Sequence, residues 1–236
     1  MDDLWNGLAR GTALVLSFDA YLYEIVLRSL KVTLSAVLIA ALIAFPVGAW
    51  LAVSRFRGRR TAIAIMNSLM GLPPVTVGLM VYILFSRSGP FGVLELLFTP
   101  ATMIIAQVII ITPIMASIAH QAIGDLYASY RDLLVSLTAT RWQTVMVLII
   151  DARRALLLAG LAGFGRAIGE VGAILIVGGN IDHYTRVLTT AIVLETSKGD
   201  FGLALGLGGI LILLAVILNI IIHHITSSER TRTWSP

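Results

Sequence analysis

Long runs of apolar residues, separated by short clusters of charged residues, are the main pattern of this 236-residue chain. Five runs cover roughly residues 29–53, 62–86, 98–120, 155–178 and 203–225. Each is long enough to cross a hydrocarbon core of ~30 Å, which takes about 20 residues in a helix. The pattern therefore predicts five membrane-spanning helices.

A sixth apolar segment, residues 187–197, is too short to span a membrane. Because Glu195, Lys198 and Asp200 limit it, we expect an interfacial or re-entrant helix there.

The second span contains Gly71-Leu-Pro-Pro74, and two adjacent prolines remove two backbone donors. We therefore predict a kink or break near the middle of this span, at a place where neighbours or water satisfy the freed backbone groups. The sequence offers no second break of this kind as a counterpart.

Composition supports a membrane protein, since hydrophobic residues make up 58% of the chain and charged residues only 13%, against roughly 25% in soluble domains. The absence of cysteine excludes disulfides and thiol chemistry. The histidines at 120, 183, 223 and 224 form no convincing ligand set, so we expect neither a metal nor a cofactor. The net charge of +4 is better explained by membrane topology than by nucleic-acid binding, which we do not expect.

The distribution of basic residues predicts the orientation, because cytoplasmic connections carry an excess of Lys and Arg. One set of connections holds ten basic residues and the other holds six. This bias places the 54–61 loop, the 121–154 segment and the 227–236 tail in the cytoplasm, with residues 1–28 outside and a transmembrane domain at 29–226 in the inner (cytoplasmic) membrane, in contact with lipid. Asp2 and Asp3 leave no basic region after Met1, so we expect no cleaved signal peptide.

The segment between spans three and four is polar but patterned. From Asp132 onward, apolar residues follow roughly one stripe of a helix, with the acidic residue in the first turn, where the helix dipole favours it. The apolar positions are Leu133, Leu134, Leu137 and Trp142. Two interpretations stay open: a surface helix on the lipid headgroups, or a short helix offered to a soluble partner.

The fourth span buries two opposite charges, Arg166 and Glu170, one turn apart on a helix, where they can pair. An ionisable side chain near mid-membrane costs roughly 3 kcal/mol on insertion scales, so a partner or a water-filled cavity is required. One interpretation is an ion pair that fixes this helix to its neighbours. The other has Arg166 near the path of an anion, with Glu170 holding it in place.

The run Leu137-Thr-Ala-Thr-Arg-Trp142, followed by Asp151-Ala-Arg-Arg-Ala-Leu-Leu-Leu-Ala-Gly160, resembles the cytoplasmic signature loop of ATP-binding-cassette importer permeases. In that family the loop forms a coupling helix that inserts into a groove on the ATPase subunit. The chain departs from the family pattern, since Asp132-Leu133-Leu134 stands for Glu-Ala-Ala, Thr138 for Gly, and Ile150-Asp151 for Leu-Pro. The resemblance implies that the ATPase contacts Asp132, Leu133, Leu134, Leu137, Thr138, Ala139, Thr140, Arg141 and Trp142.

Two further segments resemble molybdate, sulfate and tungstate permeases: Phe164-Gly-Arg-Ala-Ile-Gly-Glu-Val-Gly172 and Leu72-Pro-Pro-Val-Thr-Val-Gly78. The continuation from Val177 to Gly199, and Val171 in place of an aromatic residue, are most similar to the tungstate branch. The resemblance covers roughly residues 30 to 226.

This resemblance implies an all-α fold of the type I importer permease, with about five membrane helices and a cytoplasmic coupling helix. The chain would be a transport subunit without enzymatic activity, working as a homodimer with ATPase subunits and an extracytoplasmic binding protein. Its cargo would be tungstate, or alternatively molybdate or sulfate. Candidates for the translocation path are Arg166, Glu170, Pro73, Pro74 and Thr76. Candidates for receptor docking or a gate are Asn180, Thr185 and Arg186, with ordinary surface polar groups as the other interpretation.

Three rival classes fit the sequence less well. A secondary transporter usually has broken helices in matching positions of two halves, and five spans with a single Pro-Pro break do not provide them. A channel would need a filter-like run or a ring of acidic residues. A membrane enzyme fits least, since no Ser/His/Asp set, His cluster or carboxylate pair recurs on one face. The chain also lacks a Gly-rich phosphate loop, so the ATPase must be another subunit.

Overall fold

The computed structural model describes residues 2–17 and 19–230, which form α-helices joined by short turns and contain no strand. The helices are α1 (Asp2–Leu16), α2 (Ala20–Val53), α3 (Arg59–Leu69), α4 (Pro74–Phe85), α5 (Pro100–Ser136), α6 (Arg141–Asp151), α7 (Arg153–Ile168), α8 (Gly172–Gly178), α9 (Leu188–Lys198) and α10 (Phe201–Arg230), with a 3₁₀ turn at Gly92–Leu94. The predicted all-α fold class is confirmed.

Three of these helices, α2, α5 and α10, are each long and apolar enough to cross a membrane alone. Two bent pairs add one span each when a pair is counted as a single crossing: α3 with α4, bent by 99°, and α7 with α8, bent by 65°. This count agrees with the five predicted spans.

Several boundaries differ from the prediction. Helix α2 begins at Ala20 rather than near residue 29, and α5 continues to Ser136 rather than ending near residue 120. At 1.5 Å per residue, the 37 residues of α5 extend about 55 Å, well beyond a hydrocarbon core of ~30 Å. Helix α10 reaches Arg230, so the predicted tail begins inside a helix, while Arg232 and the other residues of 231–236 lie outside the described part of the chain.

The chain forms two compact units. The first contains residues up to Ala36, Pro73–Gln107 and Gly165–Ile221, and its core joins α2, α9 and α10 through the fully buried Leu22, Ile25, Leu188 and Leu207. The second contains Val37–Leu72, Val108–Phe164 and the chain from Ile222, and its core joins α2, α5, α6 and α7. Small residues bring helices close within the second unit: a Cβ on Gly48 would lie 2.7 Å from the carbonyl oxygen of Ala116.

The predicted break in span two is confirmed. Helix α3 ends at Leu69, the extended Pro73 follows, and α4 begins at Pro74, where the missing proline N–H is one that a first helical turn leaves unpaired anyway.

A second break, between Ile168 and Gly172, was not predicted. The prediction that residues 155–178 form one helix carrying Glu170 is wrong. The prediction that the Pro-Pro break has no counterpart is also wrong. This break contains no proline, so the residues around it gave no strong local signal.

Two short helices complete the first unit. Helix α1 was missed by the sequence analysis, and it approaches α10 closely, since a Cβ on Gly11 would lie 2.8 Å from the backbone nitrogen of Gly206. Helix α9 confirms a short helix at the predicted segment 187–197 and ends at Gly199, whose φ of 79° is accessible to glycine at little cost.

Candidate functional site

The segments that follow the two breaks, α4 and α8, pack directly against each other within the first unit. A Cβ on Gly78 would lie 2.7 Å from the Cα of Ala173, and a Cβ on Gly172 would lie 2.5 Å from Cγ2 of Val75. No side chain fits at either glycine without movement of its neighbour. The segments after the predicted break in span two and the unpredicted break in span four are therefore in contact close to the backbone.

The predicted ion pair forms at the second break, where Nη1 of Arg166 lies 2.7 Å from Oε2 of Glu170. The glutamate side chain is only 7% exposed, whereas the arginine side chain is 38% exposed. A half-open cation is thus held in place by a buried carboxylate. Such a group can contact a passing anion without losing its charge partner.

Glu170 is fixed by more than this ion pair. Its Oε1 accepts a hydrogen bond of 3.3 Å from the N–H of Ala173 in the first turn of α8, and its backbone N–H donates to the carbonyl of Ala167 at 3.1 Å. Its own carbonyl accepts a hydrogen bond of 2.8 Å from Oγ1 of Thr189 in α9. The carboxylate therefore sits in the break itself and not on a continuous helix face as predicted.

The other path candidates lie at the start of α4. Pro73 and Thr76 are exposed, Pro74 is half-buried, and the N–H of Thr76 donates to the carbonyl of Pro73 at 3.0 Å. The contact between Val75 and Gly172 brings this turn next to the Glu170 break. A role in the path stays a prediction for these residues.

The cytoplasmic segment differs from the single helical stripe that was predicted. Asp132 lies near the end of α5, not in a first turn, and Trp142 belongs to a different helix, α6. A tight turn separates the two helices, in which the N–H of Ala139 donates to the carbonyl of Leu134 and the N–H of Thr138 to that of Val135, both at 3.0 Å. This pair of bonds is a Schellman motif, and Thr138 occupies its left-handed position with φ of 50°.

That geometry gives a physical reason for the glycine that the family pattern has at this position. Thr138 stands where the resembling loop has Gly, and glycine adopts a positive φ at little steric cost. Helix α6 then begins with a capping box, because Oγ1 of Thr140 accepts from the N–H of Gln143 and the Gln143 side chain accepts from the N–H of Thr140.

Exposure in this segment is uneven. Leu134 is buried, while Leu133, Leu137, Arg141 and Trp142 are exposed around the turn. The apolar surface comes from the ends of two helices and not from one face of one helix.

The docking or gate candidates form a turn after α8. Thr185, 1% exposed, donates from Oγ1 to the carbonyl of Gly178 at 2.6 Å and accepts from the N–H of Ile181. Arg186, 9% exposed, donates to the hydroxyl of Tyr21 and lies 2.8 Å from Oδ1 of Asp182. The interpretation of Thr185 and Arg186 as ordinary surface groups is therefore wrong.

Asn180 starts this turn with φ of 50°, and its carbonyl is 3.5 Å from Nη2 of Arg186. The exposed side chains here are Ile181, Asp182, His183 and Tyr184, which the sequence analysis did not single out. Burial acts to raise the pKa of Asp182, but the Tyr21 hydrogen bond, Arg186 and His183 outweigh it and hold that pKa below its ordinary value. A docking role for the turn stays a prediction.

Within the described residues, no group of three or more His, Asp or Glu side chains is arranged to hold a metal ion.

Comparison with known proteins agrees with this geometry. Residues 44–231 match the family described as the inner membrane component of binding-protein-dependent transport systems. The chain belongs to this family. It is therefore a multi-pass inner membrane permease with the type I importer fold, and its family works with a binding protein.

Several relatives extend over most of the permease. A tungstate uptake system permease protein, TupB, of Peptoclostridium acidaminophilum is 35% identical over 95% of this chain and 99% of its own length. A probable anion ABC transporter permease protein of Haloferax volcanii is 38% identical over 84% of this chain and 88% of its own. TupB of Campylobacter jejuni is 37% identical over 72% and 71%. Permeases named for sulfate and molybdenum transport match at 26% identity.

Proposed function

We propose that this permease is the membrane subunit of an ATP-binding-cassette importer that carries tungstate, or a related tetrahedral oxyanion, into the cytoplasm. The observation that supports this cargo most directly is the similarity to two permeases named for tungstate uptake, at 35% and 37% identity. The alternative cargoes, molybdate and sulfate, are favoured only by relatives at 26% identity.

The exposed cation fits this cargo class. Arg166 presents a half-open guanidinium beside the break of span four, and its charge is partly balanced by Glu170. A permeation path needs weak and transient contacts, because a tightly held ion would not leave. A single partly neutralised arginine satisfies that requirement better than a cluster of free cations would.

The segment 121–154 is the proposed contact with cytoplasmic ATPase subunits. Leu133, Leu137 and Trp142 are exposed apolar side chains around the Thr138 turn. Exposed apolar groups rimmed by polar ones mark surfaces for protein partners. ATP hydrolysis belongs to that partner, and two copies of the permease work together as a homodimer embedded in lipid.

The proposed orientation has the N-terminus outside and the C-terminus in the cytoplasm. It is supported by four basic residues after α2: Arg55 and Arg57 in the turn, and Arg59 and Arg60 at the start of α3. In this orientation the turn of Asn180, Thr185 and Arg186 faces the side from which an extracytoplasmic binding protein delivers the anion.

Transport into proteoliposomes tests the function. Vesicles holding the permease with its ATPase and binding protein should accumulate tungstate only when ATP is present, and unlabelled tungstate should compete better than molybdate or sulfate. Accumulation that persists without ATP and without the ATPase would sink the importer proposal. Stronger competition by molybdate or sulfate would instead identify that anion as the cargo in place of tungstate.

The coupling contact has its own test. Leu133→Asp places a charge on the proposed apolar contact. It should lower the amount of anion taken up per ATP hydrolysed, while the amount of permease in the membrane stays unchanged. Val93→Asp, which adds the same charge at a more exposed apolar position, is the control. Normal coupling in the Leu133 variant would remove this turn from the mechanism.

A further inference from the structure

The break of span four leaves backbone carbonyls that a continuous helix would have paired. In an unbroken helix, the carbonyl of Ala167 would accept from residue 171 and that of Glu170 from residue 174. Instead, the carbonyl of Ala167 accepts from the N–H of Glu170 and also from Nε2 of Gln107, both at 3.1 Å, and Oγ1 of Thr189 donates to the carbonyl of Glu170 at 2.8 Å. Both donors are buried side chains from other helices, α5 and α9.

These two hydrogen bonds matter because lipid offers no donors. A broken helix at membrane depth persists only where protein or water satisfies the freed backbone groups. Thr189 thus satisfies the carbonyl that the break frees at Glu170, and Gln107 adds a second hydrogen bond to the carbonyl of Ala167, so both side chains stabilise a break that contains no proline.

Gln107 is itself incompletely satisfied. The residue is 4% exposed, and its Oε1 is buried with no hydrogen-bond donor among the described residues. A buried acceptor without a partner is unfavourable, and such groups commonly bind an ordered water.

A small cavity adjoins this side chain. It offers about 10 Å³ to the centre of a water molecule and is lined by Ser29, Thr33, Met103, Gln107, Glu170 and Thr189, among others. One water needs roughly 10–15 Å³ by this measure together with several polar neighbours. The cavity therefore fits a single water and is too small for a tetrahedral oxyanion.

We propose that one water molecule occupies this cavity, donates a hydrogen bond to Oε1 of Gln107, and completes a clamp with Gln107 and Thr189 that holds span four broken at Glu170. Gln107 and Thr189 are positioning residues: they act on Arg166 through the backbone and carboxylate of Glu170. The consequence for transport rests on the proposed importer function, whereas the water site does not.

Radiolytic footprinting tests the water directly. A hydroxyl radical formed from a bound water oxidises a methionine beside it, even one shielded from bulk solvent. Met103 lines the cavity and is 0% exposed, and Met115, on the same helix and also 0% exposed, lies outside the lining and serves as the control. Met103 should be oxidised well above Met115 in the unsubstituted permease and lose that excess in Gln107→Leu. Equal oxidation of the two methionines in the unsubstituted protein would overturn the water site.

Substitution of the donors tests the clamp. Gln107→Leu and Thr189→Val should each lower maximal uptake by about tenfold through loss of a buried hydrogen bond, with the apparent affinity for the delivered anion unchanged. Asn219→Leu, which replaces an exposed amide on α10 that bonds only within its own helix, should leave uptake unchanged. Unchanged uptake in both clamp variants would overturn the positioning role.

Gln107→Glu separates positioning from loss of folding. The introduced carboxyl has the shape of the native amide but donates to Ala167 only while it carries its proton. Among the described residues, Glu170 is the one ionisable residue that lines the cavity, and Arg166 is its partner. Relative to the unsubstituted permease, uptake by this variant should fall as pH rises, while Gln107→Leu stays low at every pH. A variant as inactive as Gln107→Leu at low pH would contradict the clamp.

Discussion

Spans two and four are both broken helices, bent by 99° and 65°, but the physical cause of the break differs between them. In span two the break is a property of the local sequence, because Pro73 and Pro74 cannot continue the hydrogen bonding of α3. In span four the break contains no proline, and side chains distant in sequence, Gln107 and Thr189, donate hydrogen bonds to the backbone carbonyls of Ala167 and Glu170. The first break would form in any surroundings that tolerate it, whereas the second depends on the assembled fold.

The largest effect is expected at Glu170, on which the second break depends. Glu170→Leu leaves Arg166 without its carboxylate in a partly buried site, and breaking such a pair costs about 3–5 kcal/mol when it is fully buried. We expect uptake to be nearly abolished and the amount of folded permease to fall.

Quantitative blotting of the membrane fraction and vesicle uptake measure these effects. Glu95→Leu, at an exposed glutamate outside the helices, is the control. A Glu170 variant with near-normal uptake would show that the ion pair only fixes the helix and that the break does not need it.

A smaller loss is expected where the two breaks meet. Gly78→Ala would place a Cβ 2.7 Å from the Cα of Ala173, and backbone cannot move aside as a side chain can. Such overpacking typically costs about 1–3 kcal/mol, so the thermal unfolding midpoint should fall by several degrees. Gly160→Ala, where a Cβ meets open space, should leave the midpoint unchanged or raise it. Equal midpoints would mean that α4 and α8 do not pack as described.

Removing both prolines tests whether the first break is local. The double variant Pro73→Ala, Pro74→Ala restores two backbone donors, so the amides of residues 72–76 should exchange hydrogen more slowly than in the unsubstituted permease. Mass spectrometry of the exchanging peptides provides the measurement. Exchange at the original rate would show that tertiary contacts also enforce this break, and the contrast between the two spans would disappear.

The smallest effect is expected at the C-terminal end of α5, where the helix stops at the Thr138 turn without a proline. Thr138 adopts a left-handed conformation that costs a non-glycine residue about 1–2 kcal/mol. Thr138→Gly should therefore raise the unfolding midpoint slightly, less than the full strain because glycine gains freedom in the unfolded state. Thr112→Gly, inside α5, should lower it. A decrease in both variants would argue against the left-handed turn.

The sequence was sufficient for features that depend on local chemistry. Five apolar runs predicted the spans, the Pro-Pro pair predicted the first break, and the spacing of Arg166 and Glu170 predicted their ion pair. These predictions succeeded because chain length, proline geometry and charge pairing are determined by a few neighbouring residues.

The features that were missed depend on residues far apart in the chain. The break at Glu170 requires Gln107 and Thr189, which are 63 residues before and 19 after it in the sequence numbering. The stripe from Asp132 to Trp142 has helical spacing, but the left-handed Thr138 divides it between two helices. Burial of Thr185 and Arg186 depends on Tyr21 and on the fold of the turn, so the residues next to them in the sequence do not predict it.

Helix α5 connects Gln107 with the Thr138 turn, and this connection has a mechanical consequence. It is unbroken from Pro100 to Ser136, so Gln107 and the residues that lead into the Thr138 turn belong to one helix. A push or twist applied at the Thr138 turn reaches Gln107 without crossing a flexible loop, with Pro113 as the one proline along the way. In the proposed importer, movement that the ATPase imposes at the Thr138 turn can therefore pass along one helix to Gln107, which donates to the backbone beside Glu170.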